Sequence, residues 1–216
     1  MSTGGQKKIS LKDVTLACFE NRCVFDAKKI LERTSGMIDF ADVKLFSDKE
    51  HKDAIKIDKK IDSLRSYSEF IINDLPNLFD TEFVMIVQTD GFPINVSAWT
   101  DEYLNYDYIG APWTWVPFDL REESCPTGSA VGNGGFSIRS KKISEKVLDY
   151  DYSLSQSDED VYICREIGKD LKGEGIEFAP TELASYFSVE NSIYNGQFGF
   201  HGKKTIEINK AQGVFN

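Results

Sequence analysis

The sequence predicts an α/β fold, because short apolar strands and segments with helical spacing alternate along the chain. Residues 14–19 and 83–87 are apolar runs that include β-branched residues, a pattern typical of strands buried on both faces. Between them, residues 26–33 and 55–73 place apolar side chains at helical spacing, and residues 43–46 are a further strand candidate. This alternation indicates helices layered on a sheet and joined by right-handed crossovers.

The second half of the chain adds a strand candidate at residues 135–139 and a helix over residues 159–171. The apolar side chains of this helix share one face: Val161, Cys164, Ile167 and Leu171. Glycines at 173 and 175 end the helix, and we expect the remaining residues to alternate short strands with turns.

Length and composition favour one domain. The chain has 216 residues, 41 % of them hydrophobic and 12 % aromatic, which is enough apolar surface to form one core. The first residues are small and polar, so we expect a disordered segment at residues 1–10 and a single domain over residues 11–216.

The charge of the chain bears on its partners. Twenty-five Lys and Arg against thirty-five Asp and Glu give a net charge of -10, which repels a nucleic-acid backbone. No run of about 18 apolar residues occurs, so neither a signal peptide nor a membrane span is expected. We expect a soluble, cytoplasmic protein that does not bind nucleic acid.

The four cysteines show no metal-binding spacing. Cys18, Cys23, Cys125 and Cys164 form no CxxC pair and are typical of reduced, mostly buried thiols in a cytoplasmic protein. Zinc is therefore not indicated.

The segment Gln88-Thr89-Asp90-Gly91 follows a predicted buried strand. Ligands of open α/β sheets bind outside the carboxyl ends of strands, so Asp90 stands where it could hold a metal, and Gly91 would let a ligand approach the backbone. An ordinary Asp-Gly turn is the alternative interpretation.

His201 is one of only two histidines, and it lies between small residues and a lysine pair that begins at Lys203. Imidazole and carboxylate together suit Mn²⁺, and a lysine can neutralise a diphosphate as a point charge. A lone histidine with a structural role is the alternative, but a strand-end aspartate elsewhere in the chain favours the ligand hypothesis.

A glycine cluster, Asn133-Gly134-Gly135, precedes the strand candidate at residues 135–139. The missing side chains leave room for a ligand, and Asn133 offers amide hydrogen bonds. The cluster is not GxGxxG and leads into a strand, which disfavours a dinucleotide-binding fold. A tight turn with a bulge is equally compatible with this segment.

The acidic run that contains Asp158 and Asp160 begins the predicted helix. Carboxylates in a first turn are favoured by the helix dipole in any protein, whereas the functional hypothesis is that one of them acts as a general base.

An aromatic stretch over residues 106–115 leads into a long loop at residues 114–130. Its rings suit either sugar stacking or core packing, and Trp113 and Trp115 are the better contact candidates. Because loops of this length are usually functional or mobile, we expect a lid that becomes ordered when a ligand binds.

Six motifs in order carry a resemblance: QTDGF, YDYIGAPW, VGNGGFSIRS, EDVYICR, ELASYFSVEN and FGFHG. Together they resemble a family of small GT-A-type glycosyltransferases of bacterial glycan clusters and large DNA viruses. The family includes the N-terminal glycosyltransferase domain of a multi-domain chlorella-virus protein. The likeness spans roughly residues 14–204, and it leaves open whether further domains follow.

The resemblance implies a single GT-A-like domain with a central mixed, mostly parallel sheet flanked by helices. It further implies that Asp90 and His201 hold Mn²⁺ (or Mg²⁺) against the diphosphate of a UDP-sugar. The usual DxD motif of such enzymes is Gln88-Thr89-Asp90 here, so one carboxylate is replaced by an amide and the diphosphate is expected to complete the metal shell.

The resemblance also assigns the other roles. The acidic pair ending in Asp160 resembles the dipeptide whose aspartate is the general base of inverting members, with Asp158 as the second candidate. Asn21, Arg22 and Arg65 lie where such enzymes contact uridine. The remaining donor contacts are expected from Thr89, Asp90, Gly91, Asn133, Gly134, Gly135, Gly202 and Lys203.

The reaction predicted is transfer of a hexose or deoxyhexose, of glucose or rhamnose type, from UDP to a glycan hydroxyl, for example on a glycoprotein. A retaining transferase is the nearest alternative, because no unambiguous nucleophile is present. A silent sugar-binding module would not need Asp90, His201 and Lys203 together, and a nucleotidyltransferase would release pyrophosphate instead of UDP.

Overall fold

A six-stranded sheet forms the centre of the computed structural model, which describes residues 8–113 and 130–215. Its strands lie in the order β3-β2-β1-β4-β7-β6. They are β1 (Ile9–Phe19), β2 (Ile38–Ser47), β3 (Ile55–Lys56), β4 (Phe83–Ile86), β6 (Tyr108–Ile109) and β7 (Ser137–Ser140). The first four strands of this order are mutually parallel, while β7 pairs antiparallel with both β4 and β6.

A smaller sheet of three strands, also formed by described residues, packs beside the first. Its order is β5 (Gly91–Pro93), β9 (Gly199–His201) and β8 (Ser188–Glu190), with β9 antiparallel to β5 and parallel to β8. Because β5 begins only a few residues after β4, the two sheets meet at the turn between these strands.

The helices are short except the first. They are α1 (Val24–Met37), α2 (Leu64–Glu69), α3 (Lys141–Lys146), α4 (Glu159–Val161), α5 (Gly168–Gly173), α6 (Thr181–Phe187) and α7 (Lys203–Ala211). Wider π-type turns continue α2 over Phe70–Asp74 and α4 over Tyr162–Glu166. Every helix within the described ranges falls short of the length and apolar character that a bilayer crossing requires.

The central strands are buried on both faces, which explains their uninterrupted apolar sequence. Side chains alternate across a strand, so Leu16 and Met85 enter the core cluster that includes α1, whereas Ala17 and Val84 enter the cluster under α2. All of these side chains are at most 3 % exposed. Their burial fixes β1 and β4 as neighbours at the centre of the sheet.

Three phenylalanine rings join the small sheet to the large one. Phe136, just before β7, stacks on Phe187 of α6 with centroids 4.7 Å apart, and Phe198 lies within 5.8 Å of the Phe187 ring. All three rings have 0 % exposure. Aromatic packing of this extent holds the start of β9 close to the start of β7.

The predicted fold class is confirmed: the structure is α/β, with a mixed sheet that has helices on its faces. Each predicted strand is present, although β1 begins at Ile9, two residues before the expected start of the domain.

The prediction of one helix over residues 55–73 is wrong in its first half. Ile55–Lys56 forms β3 beside β2, and the helix begins only at Leu64. Ser63 ends the preceding loop because its side chain caps the helix by accepting a hydrogen bond from the backbone N–H of Ser66. The hydrophobic spacing alone did not reveal this start.

The carboxyl-terminal prediction is incomplete. Residues after 176 contain the short strands expected there, but also the helices α6 and α7, which have seven and nine residues. The helix predicted over residues 159–171 is divided by the π-type turn at Tyr162–Glu166. Such short helices depend on tertiary packing, so their periodicity is weak.

Some predictions fall outside the described residues: the disorder predicted for residues 1–7, the roles of Trp115 and Cys125, and the lid at residues 114–130 except Ala130. Among described cysteines, Cys18 and Cys164 are buried free thiols and Cys23 is exposed.

Candidate functional site

A cleft of about 900 Å³ opens where β1, β2 and β4 end. Its lining includes Arg22 after β1, Asp48 after β2 and Asp90 after β4. This edge of an open α/β sheet is where ligands bind, because strands and loops diverge there.

Five residues predicted to contact a donor line this cleft: Asn21, Arg22, Thr89, Asp90 and Lys203. Lys203 comes from α7, more than a hundred residues along the chain from Asp90, so the fold brings separate segments together. Among the described residues, the side chains of Arg22 and Lys203 form no ion pair, which leaves both charges available to an anion.

The turn between the two sheets presents Asp90. Gln88 and Gly91 exchange backbone hydrogen bonds of 2.8 and 3.1 Å, which places Thr89 and Asp90 at the tip of a tight turn. The carbonyl of Asp90 accepts a further bond from the N–H of Gly202, 2.8 Å away. Backbone hydrogen bonds within the turn and from Gly202 therefore fix the position of Asp90.

The His201 imidazole lies against two glycines. A Cβ atom at Gly91 would be 2.5 Å from its Cδ2, and one at Gly135 would overlap its Nε2. The sequence suggested that these glycines make room for a ligand, whereas the structure shows that they make room for the histidine ring.

Hydrogen-bond acceptors face both ring nitrogens of His201. Nε2 is 3.2 Å from Oε1 of Gln88 and 4.0 Å from Oδ1 of Asp90, while Nδ1 is 3.4 Å from Oε1 of Glu190. A neutral imidazole donates from one nitrogen only. In a neutral ring, one of the two nitrogens therefore faces its neighbouring oxygens with a lone pair.

Imidazole, carboxylate and amide oxygen form a donor set that suits Mn²⁺ or Mg²⁺. The separations of 3.2 and 4.0 Å fit donors placed around one small cation with bonds of about 2.1 Å. Within the described residues, no three His, Cys, Asp or Glu side chains gather at one such point. A cation here would have to take further ligands from its substrate.

Asp160 is fixed by backbone groups. Its Oδ2 accepts from the N–H of Gly134 and its Oδ1 from the N–H of Val161, both at 2.8 Å. Gly134 precedes Gly135, which borders the His201 ring, so Asp160 and His201 contact adjacent residues of the glycine cluster.

Asp158 is placed differently. It is exposed at the N-cap of α4 and its side chain makes no capping bond. Partial desolvation of its carboxylate and the negative charge of the neighbouring Asp160 raise its pKa.

A buried ion pair underlies the glycine cluster. Nη2 of Arg139 is 2.9 Å from Oε1 of Glu159, and both side chains are at most 5 % exposed. Burial raises the pKa of Glu159 to about 7, Asp160 adds to the rise and Arg139 opposes it. A Cβ at Gly134 would overlap this carboxylate, so the backbone of the cluster rests directly on the pair.

The two ends of the predicted lid are joined. Pro112 and Val131 form an antiparallel bridge, and the N–H of Trp113 donates to the carbonyl of Ala130 at 3.1 Å. The Trp113 indole packs on Gly132 and is 4 % exposed, so in the described structure it is a core residue rather than a sugar contact.

Six predicted donor contacts do not line the cleft, and two of them, Arg65 and Asn133, are not glycines. The Arg65 guanidinium donates to the carbonyls of Ser155 and Tyr152 at 2.7 and 3.1 Å, while Leu64 and Tyr67 line the cleft in its place. Asn133 is 2 % exposed, and its Oδ1 has no hydrogen-bond partner within the described structure.

Asp48 and Gln88 also line the cleft, although the sequence analysis did not predict either of them as a donor contact. The buried Oδ1 of Asp48 has no partner among the described residues, while its Oδ2 accepts from the N–H of Ile61 at 2.8 Å. The strand-end rule that identified Asp90 would also have identified Asp48. Gln88 is oriented by its amide, which donates to the Tyr67 hydroxyl at 3.0 Å.

The sequence matches the model of a family described as "Protein of unknown function (DUF5672)" over residues 53–201. No curated protein matches the chain. One similar solved structure is a glycosyltransferase involved in the glycosylation of the major capsid of PBCV-1. It has a TM-score of 0.47 and 12 % identity, and the alignment covers 92 % of this chain and 98 % of that one. Another is A197 from STIV, with a TM-score of 0.39, 14 % identity and coverage of 76 % and 79 %.

The packing at His201 gives a first prediction. Gly135→Ala should displace the imidazole and lower the free energy of unfolding by about 1–3 kcal/mol, because the added methyl group has no space. Denaturant unfolding measures the loss, and the imidazole signals of a protein with two histidines report the displacement by NMR.

Gly173→Ala is the matched control, since no atom lies within 4 Å of the Cβ it would add. If both variants keep the His201 signals of the parent protein, the ring does not depend on Gly135.

Proposed function

The chain belongs to the DUF5672 family of proteins of unknown function, and we propose that it transfers a hexose or deoxyhexose from a UDP-sugar to a glycan hydroxyl with the help of a divalent cation. The observation that carries the proposal is the meeting of Asp90 and His201 beside a cleft at the strand ends. Asp160 accepts a hydrogen bond from the N–H of Gly134, the residue before the glycine that borders the His201 ring.

The diphosphate of the donor is assigned to the region between Asp90 and Lys203. Lys203 begins α7 beside Gly202, whose N–H holds the Asp90 carbonyl. A protein of net charge -10 needs local positive charge to bind an anion, and Lys203 supplies part of it. Mn²⁺ or Mg²⁺ held by Asp90 and His201 would supply the rest, as a Lewis acid that stabilises the departing diphosphate.

The nucleoside is assigned to the other end of the cleft, lined by Asn21, Arg22 and Asp48. The unpartnered Oδ1 of Asp48 is an acceptor for a ribose hydroxyl or a base N–H, since a buried carboxylate oxygen gains from such a donor. Arg65 is not assigned to uridine, because its guanidinium donates to the carbonyls of Ser155 and Tyr152.

Asp160 is proposed as the general base of an inverting reaction. Its two backbone hydrogen bonds fix the carboxylate in one orientation while leaving lone pairs on both oxygens. It would take the proton of the acceptor hydroxyl as that oxygen attacks the sugar carbon and the bond to UDP breaks. Asp158 lies at the exposed end of the same turn and is less fixed.

The direct test of the function is a donor screen. Purified protein is incubated with UDP-sugars, glycan acceptors and Mn²⁺, and UDP release is measured. We expect release with at least one hexose or deoxyhexose donor, its loss in EDTA, and a fall of roughly 10²-fold or more for Asp90→Ala because the cation loses a ligand. Asp170→Asn, an exposed carboxylate on α5, is the control. Full activity in EDTA would contradict the proposal.

Lys203 is expected to recognise phosphate. Lys203→Ala should weaken binding of UDP by about tenfold, equivalent to about 1.4 kcal/mol, and leave uridine binding unchanged. Calorimetry with both ligands measures the difference. Lys204→Ala is the matched control, because that side chain is exposed and does not line the cleft. Equal losses for UDP and uridine would show that Lys203 does not contact the diphosphate.

Asp160→Asn keeps the shape of the side chain and removes its basicity. Turnover should fall by roughly 10²-fold or more while donor binding is retained. Asp158→Asn, two residues away, should remain active. The reverse result, an active Asp160→Asn and an inactive Asp158→Asn, would assign the base to Asp158.

A further inference from the structure

Glu190 is placed directly behind His201. The parallel register of β8 and β9 sets the two residues opposite each other, and Oε1 of Glu190 lies 3.4 Å from Nδ1 of the imidazole. The Glu190 side chain is 20 % exposed and does not line the cleft, so its contact with the site is made through the histidine.

The backbone around this contact is held on both strands. The Thr205 hydroxyl donates to the His201 carbonyl and accepts from the N–H of Asn191, the residue after Glu190. The backbone at His201 and the backbone just after Glu190 are therefore joined by one side chain of α7, which is buried with 0 % exposure.

The acceptors around the ring determine where its proton lies. If Nδ1 donates to the Glu190 carboxylate, the lone pair of Nε2 points toward Gln88 Oε1 and Asp90 Oδ1. Gln88 directs its amide N–H₂ to the Tyr67 hydroxyl at 3.0 Å, so its Oε1 is the atom that faces Nε2. Two oxygen atoms then lie within 4.0 Å of Nε2, and a divalent cation could accept electron density from all three donors.

We propose that Glu190 is a positioning residue that selects the Nδ1–H tautomer of His201 and so directs Nε2 to a divalent cation. The inference rests on the proposed function, since it concerns the same cation. A carboxylate that accepts from the remote nitrogen of a metal-binding histidine fixes the ring and raises its basicity. Glu190 is placed to accept from Nδ1 of His201 because the register of β8 and β9 sets the two residues opposite each other.

The test compares Glu190→Ala and Glu190→Gln with Glu207→Gln, an exposed glutamate on α7 that serves as control. Binding of Mn²⁺ in the presence of UDP is followed by electron paramagnetic resonance of the free ion. The tautomer of His201 is read from its ¹⁵N shifts without metal, and circular dichroism checks folding.

We expect Glu190→Ala to weaken Mn²⁺ binding by about 10- to 100-fold and to shift the imidazole away from the Nδ1–H tautomer. Glu190→Gln, which retains volume and a neutral oxygen, should lose less. Unchanged Mn²⁺ binding and an unchanged tautomer in folded Glu190→Ala would overturn the role of Glu190 alone. Failure of the parent protein to bind Mn²⁺ with UDP would instead contradict the metal-dependent function.

Discussion

The site depends on the fit of one imidazole against two glycine backbones. His201 pairs with Gly91 across the small sheet and borders Gly135 of the glycine cluster, and neither position has room for a side chain. The ring thereby ties the turn that carries Asp90 to the segment whose Gly134 holds Asp160. The proposed metal ligand and the proposed general base are therefore linked through backbone contacts, which are more rigid than contacts between long side chains.

The charged side chains around the site fall into two groups: a buried ion pair and the charges that line the cleft. Below the cluster, Arg139 and Glu159 form an ion pair away from solvent, and removing either partner would leave an uncompensated buried charge. In the cleft, four basic and four acidic side chains are balanced although the whole protein carries a charge of -10. They are Arg22, Lys49, Lys60 and Lys203 against Glu20, Asp48, Asp62 and Asp90. A diphosphate bound in this cleft would therefore meet a nearly neutral surface, and a cation between Asp90 and His201 would make the surface favourable for an anion.

Sequence patterns predicted the strands that are buried on both faces. They also predicted side chains that directly follow the end of such a strand. The run at residues 83–87 placed Asp90 at the sheet edge, and the resemblance joined it to His201. Contacts that depend on the pairing of distant strands could not be predicted, because a local sequence pattern does not show which strands pair. The contact between Glu190 and His201 requires β8 and β9 to be aligned, and the Arg139–Glu159 pair requires β7 to lie over α4. Arg65 gives an example of the opposite error. It is adjacent in sequence to a cleft residue, but its guanidinium donates to the carbonyl of Ser155, 90 residues along the chain.

The most direct measurement is anomalous X-ray diffraction from crystals grown with UDP and Mn²⁺. The account predicts a manganese peak within about 2.5 Å of both the Asp90 carboxylate and Nε2 of His201, with diphosphate oxygens completing the coordination. UDP bound in the cleft with no manganese peak between these two side chains would contradict it, as would a peak at any other group of residues.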